Sequence, residues 1–500
     1  MILRNLFLLL ELGITLSAAS KVVTYPAGEG LVTTDDYSIN IRQDGSEWLP
    51  VDVYPIKVDE TVGAVHKVRT VSMAYFDFDE SPIEVMVISN KLPVKEARVR
   101  PLSYGIVPEI KGDTLLFFIS EPRNLSVEVN GEIFRNLQLF ANPIDKNRPS
   151  KKIIKNAKKN KLIYFGPGIH KIEGTYMNVP SGHTVYVDGG ARVIGQLVAD
   201  SVSDVKIYGR GEIHPEGRGE GLYIKNSRNI TIDGVIVTQL PIGASDSIRV
   251  NNVKAISSYG WGDGFNVFAS SNVHYSNLFA RTSDDCTTVY ATRKGFSGGC
   301  RNILTENSVL WADVAHPFMI GLHGSAAELG ENATPDTIQN VVYRNIDILD
   351  MNENQIDYQG VFAIVAGDNN VVRDITFDNI RIEDFRKGKL FDIRIAFNKK
   401  YCKAPGSSIE NITFDNIIYN GNNSELSLIV GYDETRKIKG IRFNNLNING
   451  TRIWDEMPEK PKWYKTGDYA RIFIGEHVED ISFSATESLP EKSGASENTK

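Results

Sequence analysis

Long apolar runs are nearly absent from this 500-residue chain, and after the first twenty residues none could span a bilayer. No membrane span is therefore expected. Cysteine is scarce: Cys286, Cys300 and Cys402 form no metal-ligand spacing and cannot all pair within one chain. Cys286 and Cys300 could form one bridge in an oxidising compartment, with buried free thiols as the alternative. Positive charge is not in excess either. A formal net charge of −7 argues against nucleic-acid and anionic-membrane partners. What is present in quantity is ordinary globular material, 41% hydrophobic and 23% charged, enough for a large core. Five hundred residues exceed one ordinary domain unless the architecture is an elongated stack.

Residues 1–19 place Arg4 before an apolar run and end in Ser17-Ala18-Ala19, the pattern of a secretory signal peptide, so the protein is expected to be secreted or periplasmic. A buried N-terminal helix, suggested by Glu11 within the run, is the alternative. No cysteine follows the run, which argues against a lipoprotein anchor. Residues 20–146 alternate apolar and polar positions in short runs such as IEVMVISN and LSVEVNG, which predicts a small antiparallel β-sandwich. The basic stretch at 145–161 carries Ile153, Ile154 and Ala157 at helical spacing and reads as an amphipathic linker helix with solvated lysines rather than a nucleic-acid patch.

From Leu162 the texture changes to short β-rich runs broken by glycine. A pair recurs at Asp204-Val205, Asn229-Ile230, Asn252-Val253, Asn272-Val273, Asn302-Ile303, Asn340-Val341, Asp374-Ile375, Asn411-Ile412, Gly440-Ile441 and Asp480-Ile481, at intervals of 20 to 40 residues. Strand-period repeats of this length mark a solenoid, and no helical pattern fills the gaps, which excludes leucine-rich and helical repeats. The expected fold class is all-β: a right-handed parallel β-helix over 147–485, preceded by the sandwich. A propeller is the runner-up, but its repeats should be more uniform. The recurring Asn or Asp is expected to bond backbone groups at each corner. Residues 486–500 lack apolar periodicity and read as a disordered tail.

The repeat also serves as a ruler. Asp263 lies eleven residues after Asn252; Asp284 and Asp285 lie twelve and thirteen after Asn272. The three thus share one phase of consecutive coils, and stacking at about 4.8 Å per rung should gather them. Inverting glycoside hydrolysis needs two carboxylates about 6.5–9.5 Å apart, and like charges so close should push one pKa up to suit a general acid. Adjacent aspartates on a regular strand would face opposite ways, so the chain must bend there if both serve the site. Decoration of a turn is the bland alternative. Asp313 and His316 follow one coil later, and His316 could tune a carboxylate. Trp261, Tyr290 and Trp311 could stack on sugars or belong to the core. Arg394 would be costly to bury unpaired and is expected to meet an anion in or near the cleft.

These strings resemble a known group. DGFNV at 263–267, DDC at 284–286, HPFMIG at 316–321 and RIA at 394–396 are similar, in order, to the motifs of glycoside hydrolase family 28, the polygalacturonases. A sandwich preceding a β-helix resembles the related dextranase and isopullulanase family 49. The resemblance implies Asp284 as general acid, Asp263 and Asp285 activating water, His316 near the acid, and Arg394 on the sugar of a polysaccharide or oligosaccharide. It implies neither cofactor nor metal. Trp261 and Gly262 replace the family's polar pair, Pro317 replaces a glycine, and Ala396 stands where a uronate-binding lysine would be, with Lys399 or Lys400 as substitutes. A polysaccharide lyase, needing a basic proton abstractor and often Ca²⁺, and a non-catalytic glycan-binding β-helix are the alternatives. Sugar, linkage, endo or exo attack and oligomeric state are not readable.

Overall fold

The computed structural model describes residues 22–486, apart from 44, 64, 80, 331, 357–359 and 459. The expected leader, and the expected tail beyond Thr486, lie outside the described residues.

The first unit packs two sheets face to face. One contains Val22–Thr24, Tyr54–Val62, Val65–Phe78, Leu137–Pro143, Arg123–Val129 and Ala97–Arg100; the other contains Leu49–Val51, Tyr37–Gln43, Ile83–Ser89, Thr114–Ile119 and Glu109–Lys111. Strict alternation along Tyr37–Gln43 and Ile83–Ser89 turns Ile39, Ile41, Val85 and Val87 into the shared core. The sandwich is not wholly antiparallel as expected: Leu137–Pro143 runs parallel to Val65–Phe78. The basic stretch is helical only over Lys151–Lys155, capped by Ser150, with Ile153 exposed.

From Leu162 onward the chain winds a parallel β-helix whose thirty strands form one continuous ladder. In the middle of the helix each strand pairs in parallel with the third strand after it, giving three strands per coil. Identical residues then stack. Phe377, Phe414, Phe443 and Phe483 form a column of nearly coplanar rings 5.2, 5.0 and 4.7 Å apart, close to the inter-strand spacing.

The recurring corner residue has a simple physical basis. At all nine Asn and Asp copies φ lies between 54° and 61°, and at Gly440 it is 74°. Left-handed backbone is tolerated by Gly and, among the rest, best by Asn and Asp. The side chains do not cap backbone groups as expected. Several bond one another from rung to rung, Asn302 donating to Asn272 at 2.9 Å and Asn340 to Asn302 at 3.3 Å, while Asn252 and Asn272 donate to Asn142 and Asp246.

The sandwich lies along the flank of the helix. Tyr54, Met73, Tyr75 and Phe140 pack against Ile256, Phe279, Trp311 and Leu349. Trp311 is fully buried here, so it offers no face to a sugar. Arg281 crosses the same seam. It pairs with Asp313 at 2.7 Å and donates to Asn136 at 3.0 Å and to the Ile133 carbonyl at 2.9 Å. Arg386 bonds Asp313 from the other side at 3.1 Å. Asp313 is therefore a brace, remote from solvent.

Candidate active site

Three consecutive coils carry the same turn. It lies between Lys254–Ile256 and Phe265–Phe268, between Phe279–Thr282 and Thr287–Tyr290, and between Cys300–Ala312 and Phe318–Gly321. Asp263 sits in the first turn, Asp284 and Asp285 in the second, His316 in the third. The aspartate pair is thus off the strands, and the bend lets both reach one place. An oxygen from each of Asp263, Asp284 and Asp285 lies within 4.8 Å of the others. Carboxylates so disposed can share a proton or hold a cation.

Glycine makes this approach possible. A Cβ at Gly264 would come within 2.5 Å of the Cys286 carbonyl, and one at Gly262 within 2.3 Å of the Ser283 hydroxyl. The two glycines flanking Asp263 let its turn lie against the Asp284–Asp285 turn. That accounts for Gly262 where the family carries a polar residue.

Hydrogen bonds then fix each carboxylate. Asn266 donates to Asp263 at 2.8 Å and is itself oriented by Thr288 at 2.9 Å. His316 Nδ1–H donates to Asp285 at 2.6 Å, the tautomer that an acceptor-only carboxylate requires, and the Tyr290 hydroxyl donates to the second oxygen at 3.1 Å. The Asp284 carboxylate accepts from the Asp285 backbone N–H at 3.0 Å. The electrostatics follow. Burial and the facing Asp285 charge push Asp263 up to about 7, against the pull of Asn266, Lys294 and Arg293. Asp284 is raised well above the ordinary aspartate value by burial, then by Asp263, Asp285 and Glu353.

The carboxylates open into a cleft of about 390 Å³, lined also by Trp261, Tyr290, Arg293, His323, Gln355 and Tyr401. Trp261 is 76% exposed, its ring covered on one face by Arg218 at 4.7 Å. Tyr290 is buried beneath the carboxylates and stacks on Phe268. Arg394 is not brought here. It lies two rungs beyond the strand that follows His316 and forks onto Asp392 on its own strand, at 2.5 and 3.0 Å. The strand Gly360–Ala366 intervenes and turns Ala363 and Val365 outward, in register with Asp392 and Arg394. The anion expected for Arg394 is therefore its own neighbour. All three cysteines are buried free thiols.

One cleft residue escaped the sequence reading. Glu353 occupies the same turn one coil beyond His316, thirteen residues after Asn340, with its carboxylate 3.9 Å from His316 Nε2. Burial raises its pKa, with His316 pulling it back. The ruler that located the aspartates would have found it.

The sandwich reaches this site. Buried Asp59 accepts the Gly260 backbone N–H at 2.7 Å and pairs with His66 at 2.8 Å, tethering a loop in which Tyr259, Gly260 and Trp261 all have positive φ. Asp263 follows directly. Asp59→Ala is expected to lower hydrolytic kcat by roughly ten- to a hundredfold through misplacement of Asp263, with Asp59→Asn, which keeps an acceptor, recovering most of it. Equal kcat in wild type and Asp59→Ala would show the tether to be unnecessary.

A parallel β-helix bearing clustered aspartates in a cleft can carry glycoside hydrolysis. The model of glycosyl hydrolases family 28 matches residues 196–462, and the chain belongs to that family. It is a glycoside hydrolase acting on polysaccharides. Among solved structures it is similar to Dex49A from Penicillium minioluteum, at 12% identity over 92% of this chain and 96% of that one, with a TM-score of 0.64. It is also similar to the family 28 exopolygalacturonase of Yersinia enterocolitica, at 11% identity over 85% and 98%, TM-score 0.46. The polygalacturonase from Erwinia carotovora ssp. carotovora gives 15% identity over 66% and 95%, TM-score 0.39. No curated protein matches the chain. No helix among the described residues is long and apolar enough to cross a membrane.

Proposed function

We propose that this enzyme is exported and cleaves an α-linked polysaccharide or oligosaccharide, a pectin-type galacturonan or an α-glucan, with inversion at the anomeric carbon. The convergence of Asp263, Asp284 and Asp285 within 4.8 Å carries the reading. Asp284 protonates the glycosidic oxygen as the bond to the anomeric carbon breaks. A water held by Asp263 and Asp285 attacks that carbon from the other face and gives its proton to Asp263. The proton affinities support acid and base work near neutral pH, since burial and the neighbouring carboxylates raise Asp263 to about 7 and Asp284 well above the ordinary aspartate value. His316, with Glu353 behind it, orients Asp285. The leader-like residues 1–19 support export.

One observation favours a second reading. Carboxylate oxygens within 4.8 Å fall short of the separation usual for inversion, about 6.5–9.5 Å, and approach the roughly 5–5.5 Å of retaining enzymes. Against a covalent intermediate, both oxygens of Asp285 already accept hydrogen bonds and one of Asp263's is held by Asn266.

Reducing-end release from pectins, dextran and pullulan tests the substrate class, and a protein inert on all of them would remove it. On the active substrate, kcat/KM should be bell-shaped in pH. The acid limb reports the base Asp263, raised to about 7, and the alkaline limb the acid Asp284, raised well above the ordinary aspartate value. Because the Glu353 charge helps to raise Asp284, Glu353→Gln should move the alkaline limb to lower pH and leave the acid limb in place. An unmoved alkaline limb would take Asp284 out of the acid role.

A further inference from the structure

Beside the cleft, toward the first coils, lies a second cavity of about 430 Å³. The two share Arg218, Gly219 and Gln239 as lining, so they adjoin, and together we call them the trough. Ile194 lines it from the helix, and the sandwich strand Tyr54–Val62 lines it through Ile56 and Lys57. Its polar groups are held in place. The Glu212 carboxylate, 3% exposed, is gripped by Arg192 at 2.9 Å and faces His214 at 3.3 Å. Lys57 donates to the Tyr259 hydroxyl at 3.1 Å. Trp261 stands on the same loop as Tyr259, at the cleft end, with Arg218 over its ring.

We propose that this trough binds further sugar residues of the chain whose glycosidic bond lies at the carboxylates, so that the N-terminal sandwich forms one wall of the substrate site. The proposal rests on the hydrolase reading above. Pyranose rings present apolar C–H faces and a rim of hydroxyls. Apolar lining from Ile194 and Ile56 with a few fixed polar groups and the exposed Trp261 ring nearby matches that chemistry. Its place beside the cleft, with three lining residues in common, points to more of the same saccharide as the occupant, and the seam position explains why the sandwich supplies Ile56 and Lys57.

Isothermal titration of the full-length Asp284→Asn protein with trimers and hexamers of galacturonic acid and of α-1,6-linked glucose tests this. In the series that wild type hydrolyses, the hexamer should bind at least about tenfold more tightly than the trimer. Ile194→Trp, which adds bulk to the lining, and Lys57→Glu should each bring that ratio below about twofold, with unchanged thermal melts showing that they fold. Equal binding of trimer and hexamer, no binding of either series, or a ratio indifferent to both variants overturns the trough. Failure of the hydrolase reading is separate. It would appear as wild type releasing no reducing ends, while hexamer binding that depends on Ile194 and Lys57 would still support the trough.

Discussion

Asp284→Asn is expected to lower hydrolytic turnover by about 10²–10⁴-fold while making the protein more stable at neutral pH, not less. The loss follows from removing the proton donor. The gain follows from linkage. Burial and three neighbouring carboxylates hold the folded pKa of Asp284 well above its ordinary 3.8, so the folded chain binds a proton that the unfolded chain releases. Stability contributed at this position is then intact below pH 3.8 and declines as pH rises above it. Asparagine keeps the shape and abolishes the penalty, and we expect about 0.5–2 kcal/mol of added stability at pH 7. Melting curves of both proteins across pH check the sign: the difference should grow with pH and vanish in acid. An Asp284→Asn protein less stable than wild type at pH 7 would mean that the carboxylate is held by partners rather than crowded.

The second large effect is structural. Arg281→Met should destabilise the protein by about 3–5 kcal/mol, because Asp313 and the Asn136 amide at the seam lose a buried partner. Both Arg281 and Asp313 are inaccessible to solvent, and Arg281 lies over the Trp311 ring at 4.1 Å. Since the strand Phe279–Thr282 leads straight into Ser283, Asp284 and Asp285, the same substitution should also slow turnover. Equilibrium urea unfolding reads the loss. A change below about 1 kcal/mol would show that Arg386 alone satisfies Asp313.

The helix and the convergence of its aspartates were legible because both are periodic. Each coil must place Asn, Asp or Gly at a left-handed corner, so counting from Asn252, Asn272 and Asn302 gives a residue's place around the coil. Counting fails where coils differ in length. The segment between His316 and Arg394 hides the rung Gly360–Ala366, so a string matching in order placed Arg394 too near the cleft. Glu353 was missed for the opposite reason: the count from Asn340 reaches it, but no motif drew the eye there. Trp311 reads as a surface aromatic until the sandwich is set against it, and contacts between distant segments leave no local pattern. The hold of Asp59 on Gly260 is of the same kind, bridging 201 residues.

Proton NMR of the first anomer released from the active substrate tests the central claim most directly. The account predicts that the new reducing end appears first with inverted configuration and mutarotates afterwards, as attack by a water between Asp263 and Asp285 requires. A first-formed anomer of retained configuration would contradict it and make one of these carboxylates a nucleophile.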